Sequence, residues 1–393
     1  MKILHINTID KGGAATAIIR IHLALLERGI DSKVLVLKQT KSGIPHVYRF
    51  QSTPSVWKRI VRKFKRLVRK DAARLRAQYP EVEWFSLPTS PYDITEHPLC
   101  READIIQLNW VSGFLDEPSF FRKNKKPVIW RMPDLYACGG GYHYEKGFPF
   151  QKLKNILDRG SSIRSKALRG SDITFVPISN WVNEKAGESS VIGSFPRQVI
   201  DNGLDFSIFQ PMDKLEARAR FDLPTDKKII LVGSDISMSE RKGLRLTFEA
   251  WTQLDAARYQ LVLFGAYEGT LPDGAIHTGH ISDERSLATL YNAADVFCMS
   301  SIEEAFGQVT IEALACGVPV ASFPNGGSLD IIRPGVNGVL ARSFSSESLA
   351  AALTAALETE WNMEAIVDDT RDRFSIKNKI EQYLQLYGSV WPN

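Results

Sequence analysis

The chain has 393 residues, 44% of them apolar and 24% charged, the composition of a globular protein with chain enough for two or three domains. Its formal charge is +4, but Lys58 to Arg76 holds ten Lys/Arg and one acidic residue, Asp71, leaving 39 basic and 44 acidic residues elsewhere. The basic character is therefore local, and a nucleic-acid binder with a broad basic face is excluded.

The N-terminus, MKILHINTIDKGG, turns polar after six residues, too early for a signal peptide. No stretch approaches about eighteen uninterrupted apolar residues, so no transmembrane helix is expected. Cys100, Cys138, Cys298 and Cys316 form no CxxC pair. That spacing argues against a disulfide framework or zinc site and suits a cytoplasmic protein.

Ile3–Thr8 reads as a short buried strand, followed by a polar loop from Asp10 to Gly13. Ala14–Arg28 then reads as a helix ended by Gly29, and Lys33–Leu37 as a second strand. This is the opening βαβ unit of a parallel sheet. Further strands are expected at Asp104–Leu108, Val128–Arg131, Ile173–Pro177 and Arg197–Ile200. Phe206 to Asp226 carries Pro211 and Pro224 with weak periodicity and reads as an interdomain connection starting near Leu204–Phe209.

A second alternating unit follows. Its strands are Lys228–Gly233, Gln260–Phe264, Val296–Met299 and Val318–Ala321. Its helices are Gly243–Leu254, Ser286–Ala293, Gln308–Ala315 and Leu349–Leu357, with Ile376–Leu386 near the end. The expected division is 1–203 and 204–374, with 375–393 crossing back to the first domain.

Within the basic segment, Trp57, Ile60, Val61, Phe64, Leu67, Val68, Ala72 and Leu75 recur at spacings of three and four. They place one apolar face on a helix over 56–77 whose other face is cationic. Such a helix suits an anionic membrane surface. Packing on its own domain, or binding a partner helix or nucleic acid, gives the same pattern.

The first loop, Asp10-Lys-Gly-Gly-Ala-Ala15, is not GxGxxG, and no GxxxxGK[ST] occurs. Gly12 and Gly13 at a strand-to-helix junction still allow a ligand to approach backbone amides. In the second half, Arg241-Lys242-Gly243 puts two cations where a helix opens, a pattern able to neutralise a diphosphate. Glu304 and Glu312 lie eight apart around a glycine turn and a helix start. The amides of Phe306–Thr310 can meet hydroxyls or phosphate oxygens, and a carboxylate such as Glu312 can hold ribose hydroxyls.

Glu304-Ala-Phe-Gly-Gln-Val-Thr-Ile-Glu312, continuing to Val320, resembles the E-x7-E signature of the retaining family 4 glycosyltransferases. Lys11-Gly12-Gly13, Val199–Asp205 leading to Phe209-Gln-Pro211, Arg241-Lys242-Gly243 and Leu290–Asp295 match in order, so the resemblance spans almost the whole chain. It implies an α/β chain of GT-B fold, two Rossmann-like domains facing across an interdomain cleft, and a bacterial surface-polysaccharide role.

Carried over by position, the resemblance implies Lys242 on the donor diphosphate, Glu312 on the ribose and Glu304 facing the donor sugar. Phe306, Gly307, Gln308, Val309 and Thr310 would line that sugar and phosphate. Gly265, His280 and Ile281 would sit near the nucleobase, and Gly12 and Gly13 near the diphosphate or acceptor. Where many relatives carry an arginine after the first strand of this domain, this chain has Ser234, leaving Arg241 as the second cation.

One departure concerns the chemistry. Relatives often read HLHW and then TLHDxWPFTGGCHY, where this chain reads Gln107-Leu-Asn-Trp110 and Arg131-Met-Pro-Asp-Leu-Tyr-Ala-Cys-Gly-Gly-Gly-Tyr-His-Tyr144. The usual histidine is Pro133, leaving Asp134 as the polar group beside it. Cysteines that extend this element in some relatives are missing, so no zinc is inferred and no metal is expected to be needed.

The implied reaction transfers a hexose, from UDP-glucose or UDP-galactose for preference, to a glycan or undecaprenyl-type lipid-linked acceptor. The enzyme would lie peripherally on the inner face of the plasma membrane. Three alternatives stand beside it: a GDP-mannose-dependent mannosyltransferase, a sugar-phosphate-accepting synthase and a non-catalytic nucleotide-sugar-binding scaffold.

Overall fold

The computed structural model describes residues 1–51, 75, 77–79, 82–233 and 240–391. Apart from Leu75, the basic segment Lys58–Arg76 lies outside the described residues, and so does Ser234. The chain divides into two compact units, 1–201 with 379–393, and 202–378.

The first unit holds β1 (Lys2–Ile9), β2 (Asp31–Lys38), β3 (Val47–Arg49), β4 (Ile105–Leu108), β5 (Val128–Met132) and β6 (Ile173–Pro177). They form one sheet in the order β3-β2-β1-β4-β5-β6, parallel throughout. The four residues of β4 and the five of β5 are all buried, as expected of a parallel sheet covered on both faces. Trp130 of β5 stacks between Phe121 and Phe175 and fixes the helix Glu117–Lys123 against the sheet.

The second unit repeats the plan. Its strands are β7 (Lys228–Gly233), β8 (Tyr259–Phe264), β9 (Ile276–His277), β10 (Val296–Met299), β11 (Val320–Ser322) and β12 (Gly338–Leu340). The order β12-β11-β10-β7-β8-β9 is the first sheet's order read from its other edge, again all parallel. Both sheets have the Rossmann strand order, as the GT-B resemblance implies. In each, the strand order reverses between the first and fourth strands: β1 and β4, then β7 and β10. Ligands of such sheets bind beyond the carboxyl ends of the strands at this reversal.

Most of the last helix, Ile376–Val390, belongs to the first unit. Tyr387 donates its hydroxyl to Gln107 Oε1 at the end of β4, and Lys379 pairs with Asp201.

Two sequence expectations need correction. Arg197–Ile200 forms no strand; only an isolated bridge joins Arg197 to Phe175. Gln198 and Ile200 donate to the carbonyls of Phe175 and Pro177, but Pro177 has no N–H to return, so the ladder does not close. The Phe206–Asp226 stretch contains a helix, Lys214–Ala219, capped by the Asp213 carboxylate, which accepts from the Glu216 amide.

Candidate active site

In the second unit, the turn Glu240–Lys242 ahead of the helix Leu244–Trp251 meets the loop that leaves β10. Lys242 Nζ lies 2.9 Å from Glu304 Oε2, and Arg241 Nη1 lies 3.8 Å from the same oxygen. Arg241 is buried and donates to the Glu303 carbonyl at 2.8 Å. Its own carbonyl accepts from the Ile302 amide, so the two loops are tied through backbone as well as charge. Burial alone would raise the Glu304 pKa, but Lys242 and then Arg241 outweigh it and hold the carboxyl below its usual range.

Gly243 explains why the two cations stand where they do. It caps the helix Leu244–Trp251 in the left-handed region, at φ 65°. A Cβ there would lie 1.9 Å from the Ser300 carbonyl oxygen. Only glycine allows this turn to close on the end of β10. Ser300 in turn donates its hydroxyl to the Lys242 carbonyl.

The second carboxylate, Glu312, sits in the buried helix Gln308–Ala315 and accepts the Tyr291 hydroxyl at 3.2 Å. At the start of that helix, both side-chain polar atoms of Gln308 and the Thr310 hydroxyl are buried without hydrogen-bond partners. Gly307 caps the helix and Val309 is half-buried beside it. Phe306 faces the other way, buried and edge-on to Phe374 at 5.8 Å. At the end of β8, the Gly265 amide donates to the Gly279 carbonyl and its carbonyl meets His277 Nε2 at 2.8 Å. His280 is exposed and Ile281 half-buried just beyond.

Sequence reasoning missed the clamp beneath this loop. Asn325 donates to the Ser301 carbonyl, and the Gly327 amide donates to the Glu304 carbonyl. The signal was present as Pro-Asn-Gly-Gly shortly after a strand, the sequence of a capped helix start.

In the first unit, Gly12 adopts φ 91° at the end of the β1 loop, and Gly13 begins the helix Gly13–Glu27. A side chain at either would meet nothing within 4 Å, so the space beside this helix start is open. Asp10 holds the loop by accepting from the amides of Thr40 and Lys41.

Asp134 is buried, and its oxygens are taken by neighbours. Oδ2 accepts the Trp110 indole N–H at 3.1 Å and lies 2.7 Å from His143 Nδ1; Oδ1 accepts the Tyr136 amide. Behind it, Arg164 is fully buried, forks onto both oxygens of Glu117 and caps the carbonyls of Tyr136 and Gly139. The turn carrying Pro133 and Asp134 is thus held by a charged network that sequence spacing did not reveal.

Residues 213–379 match the family described as glycosyl transferases group 1. A D-inositol 3-phosphate glycosyltransferase of Mycolicibacterium paratuberculosis is 33% identical over 381 residues, covering 89% of this chain and 78% of that protein. The chain belongs to the group 1 glycosyltransferases. A second D-inositol 3-phosphate glycosyltransferase, from Streptosporangium roseum, is 32% identical over 88% of the chain and 81% of its own length. Among solved structures, Anabaena HepE in complex with UDP-glucose superposes with a TM-score of 0.72 at 18% identity, covering 99% of this chain and 100% of that one. Sucrose-phosphate synthase from Thermosynechococcus elongatus gives 0.71 at 19%, covering 99% of each. These two likenesses are of fold.

The chain is a nucleotide-sugar-dependent glycosyltransferase. Among the described residues, no group of three or more His, Cys, Asp or Glu is placed to hold a metal. No helix among them is long and apolar enough to cross a membrane.

Proposed function

We propose that this group 1 glycosyltransferase moves a hexosyl group from a nucleoside diphosphate sugar to a hydroxyl of a phosphorylated small-molecule acceptor, with retention at the anomeric carbon. The Lys242–Glu304 contact at the reversal of the second sheet carries the donor half of this reading. As the glycosidic bond breaks, negative charge grows on the β-phosphate of the leaving nucleoside diphosphate. Lys242 is the cation placed to stabilise it, and Arg241 fixes the loop while adding positive potential. The Gln308 and Val309 amides at the start of the helix Gln308–Ala315 add donors that have no partner within the helix, while the Thr310 amide is taken by the Gly307 carbonyl.

In this reading Glu304 has two roles. It holds Lys242 before the donor binds, and it then accepts a hydroxyl of the transferred sugar. Glu312, already oriented by Tyr291, takes the ribose. Gly265, His280 and Ile281 border the base. Asp134 acts through position: it fixes Trp110 and the Pro133 turn, near the open start of the Gly13–Glu27 helix where the acceptor binds. A nucleophilic carboxylate pair is not required, because the departing phosphate can take the acceptor proton on the same face.

The phosphorylated acceptor is favoured over the lipid-linked glycan by the relatives, whose names specify D-inositol 3-phosphate. One observation favours the second reading, a surface-polysaccharide transferase of family 4 on an anionic membrane: the cationic amphipathic pattern over 56–77. A product assay separates them. UDP-, GDP- and ADP-hexoses are each offered with an inositol monophosphate, a hexose monophosphate, their unphosphorylated forms, and a lipid-linked glycan. Product with a phosphorylated acceptor, its new linkage matching the donor's anomeric configuration by proton NMR, is expected. Turnover confined to the lipid-linked glycan selects the second reading.

A further inference from the structure

The first unit has a cavity of about 660 Å3 at the opposite end of its sheet from Gly12, Gly13 and Asp134. It lies where β5 and β6 begin, between the helices Glu117–Lys123 and Phe150–Leu168. Its volume is that of a small-molecule pocket.

The lining divides by chemistry. Phe121 and Ile163 give it an apolar wall. Arg122, Lys125, Lys166 and Arg169 stand exposed around it. None of these four has an ion-pair or hydrogen-bond partner among the described residues. Some cations of this unit find carboxylates, Lys123 with Asp93, Lys154 with Asp158 and Lys185 with Glu145, and among the described residues others such as Lys38 and Arg159 do not. What sets Arg122, Lys125, Lys166 and Arg169 apart is their convergence on one concave, partly apolar surface. A fifth lining cation, Lys126, is committed to the carbonyls of Cys100, Arg101 and Ala103. The lone acid of the lining, Asp172, leaves the rim strongly positive. Like charges gathered around a concave, partly apolar surface focus positive potential and raise the local concentration of anions.

We infer that this cavity is a second binding site, separate from the transfer site, for a phosphate-bearing ligand with an apolar body. Arg122, Lys125, Lys166 and Arg169 meet the phosphate, and Phe121 and Ile163 meet the apolar part. Guanidinium and ammonium groups together suit a phosphate monoester, the former by paired N–H donors and the latter as point charges. An anionic lipid and a soluble phosphorylated amphiphile present this same chemistry.

The test uses the full chain saturated with UDP and with an inositol monophosphate, so that the donor and acceptor positions of the proposed transfer site are both covered. Dihexanoyl phosphatidic acid, kept below its micelle concentration, is titrated calorimetrically, with dihexanoyl phosphatidylcholine as the control. One site for the phosphatidic acid is expected, weakened about tenfold or more in Lys166→Glu/Arg169→Glu, about 1.4 kcal/mol or more of binding. The milder pair Arg122→Gln/Lys125→Gln, which brings no new charge, should weaken it in the same direction with an unchanged melting temperature. Equal affinity in both variants, or equal binding of the phosphatidylcholine, overturns the inference. Sedimentation with vesicles containing phosphatidic acid identifies the source. Vesicle binding lost in the variants, with residues 56–77 intact, assigns the site to a membrane lipid. Vesicle binding retained while the soluble ligand is lost assigns it to a soluble amphiphile.

Discussion

Lys242 and Glu304 are 62 positions apart in sequence, yet their charged atoms lie 2.9 Å apart because β7 and β10 are neighbours in the second sheet. Lys242→Ala should lower kcat/KM by about a hundredfold or more, the usual loss when a group stabilising transition-state charge is removed. Lys242→Arg should recover part of it. Steady-state kinetics with the best donor of the screen measure both. Equal rates in wild type and Lys242→Ala would remove this lysine from the chemistry.

The Glu304 carboxyl is held below its ordinary value, so the ion pair persists to pH values below the ordinary carboxylate range. Its contribution to folding is present above 4.5, the reference value, and is lost as pH falls through the depressed native value. Stability against urea should therefore fall less steeply with acid in Glu304→Gln than in wild type below about pH 4.5. Parallel pH profiles of the two proteins would show that the pair adds no pH-linked stability.

Gly243→Ala should disturb the site without touching a charged group. The added methyl meets the Ser300 carbonyl, and the left-handed turn strains any side chain. The expected result is a destabilisation of about 1–3 kcal/mol with a larger proportional loss of activity, because Lys242 moves with the turn. Denaturant midpoints and kcat/KM on one preparation measure the two effects. A variant as active and as stable as wild type would show that this turn relaxes freely.

The Glu117–Arg164 pair is buried on both sides. Removing one partner strands a charge, so Glu117→Gln or Arg164→Met should each cost about 3–5 kcal/mol. The two together should cost less than the sum, which a double-mutant cycle in urea detects. Additive costs would mean the two groups act independently.

Cys100, Cys138 and Cys298 are buried, and burial pushes their thiols up to about 12. Cys316 is raised further by burial and by Glu312. Iodoacetamide should leave all four unmodified in the native protein at pH 8 and label all four in guanidinium, as read by intact mass. Rapid native labelling of one thiol would mark a local opening at that residue.

Sequence legibility followed the range of the interactions. Val296–Met299, Gln308–Ala315 and Ile173–Pro177 have the bounds expected of them, because each is a buried run between sharp polar or glycine stops. The helix Phe150–Leu168 escaped notice: its mixed charge hides the apolar stripe of Leu153, Leu157 and Leu168. Arg197–Ile200 looked like a strand by composition and failed for want of one donor at Pro177. In the candidate site, Lys242, Glu304 and Glu312 were singled out by the family resemblance; their spacing alone fits solvated side chains as well. The clamp of Asn325 and Gly327 on the Ser301–Glu304 loop, and the Arg164 fork under the Pro133 turn, were not singled out. Both depend on partners brought together by sheet order, which local pattern does not encode.

The most direct test of the account is donor-dependent transfer in wild type and Lys242→Ala. Each is incubated with UDP-, GDP- and ADP-hexoses and an inositol monophosphate, and product is measured by mass alongside released nucleoside diphosphate. The account predicts one glycosylated phosphate product, formed in step with nucleoside diphosphate release, and a rate about a hundredfold or more lower in Lys242→Ala. Nucleotide-sugar binding with no transfer to any phosphorylated acceptor, or transfer unaffected by Lys242→Ala, would contradict it.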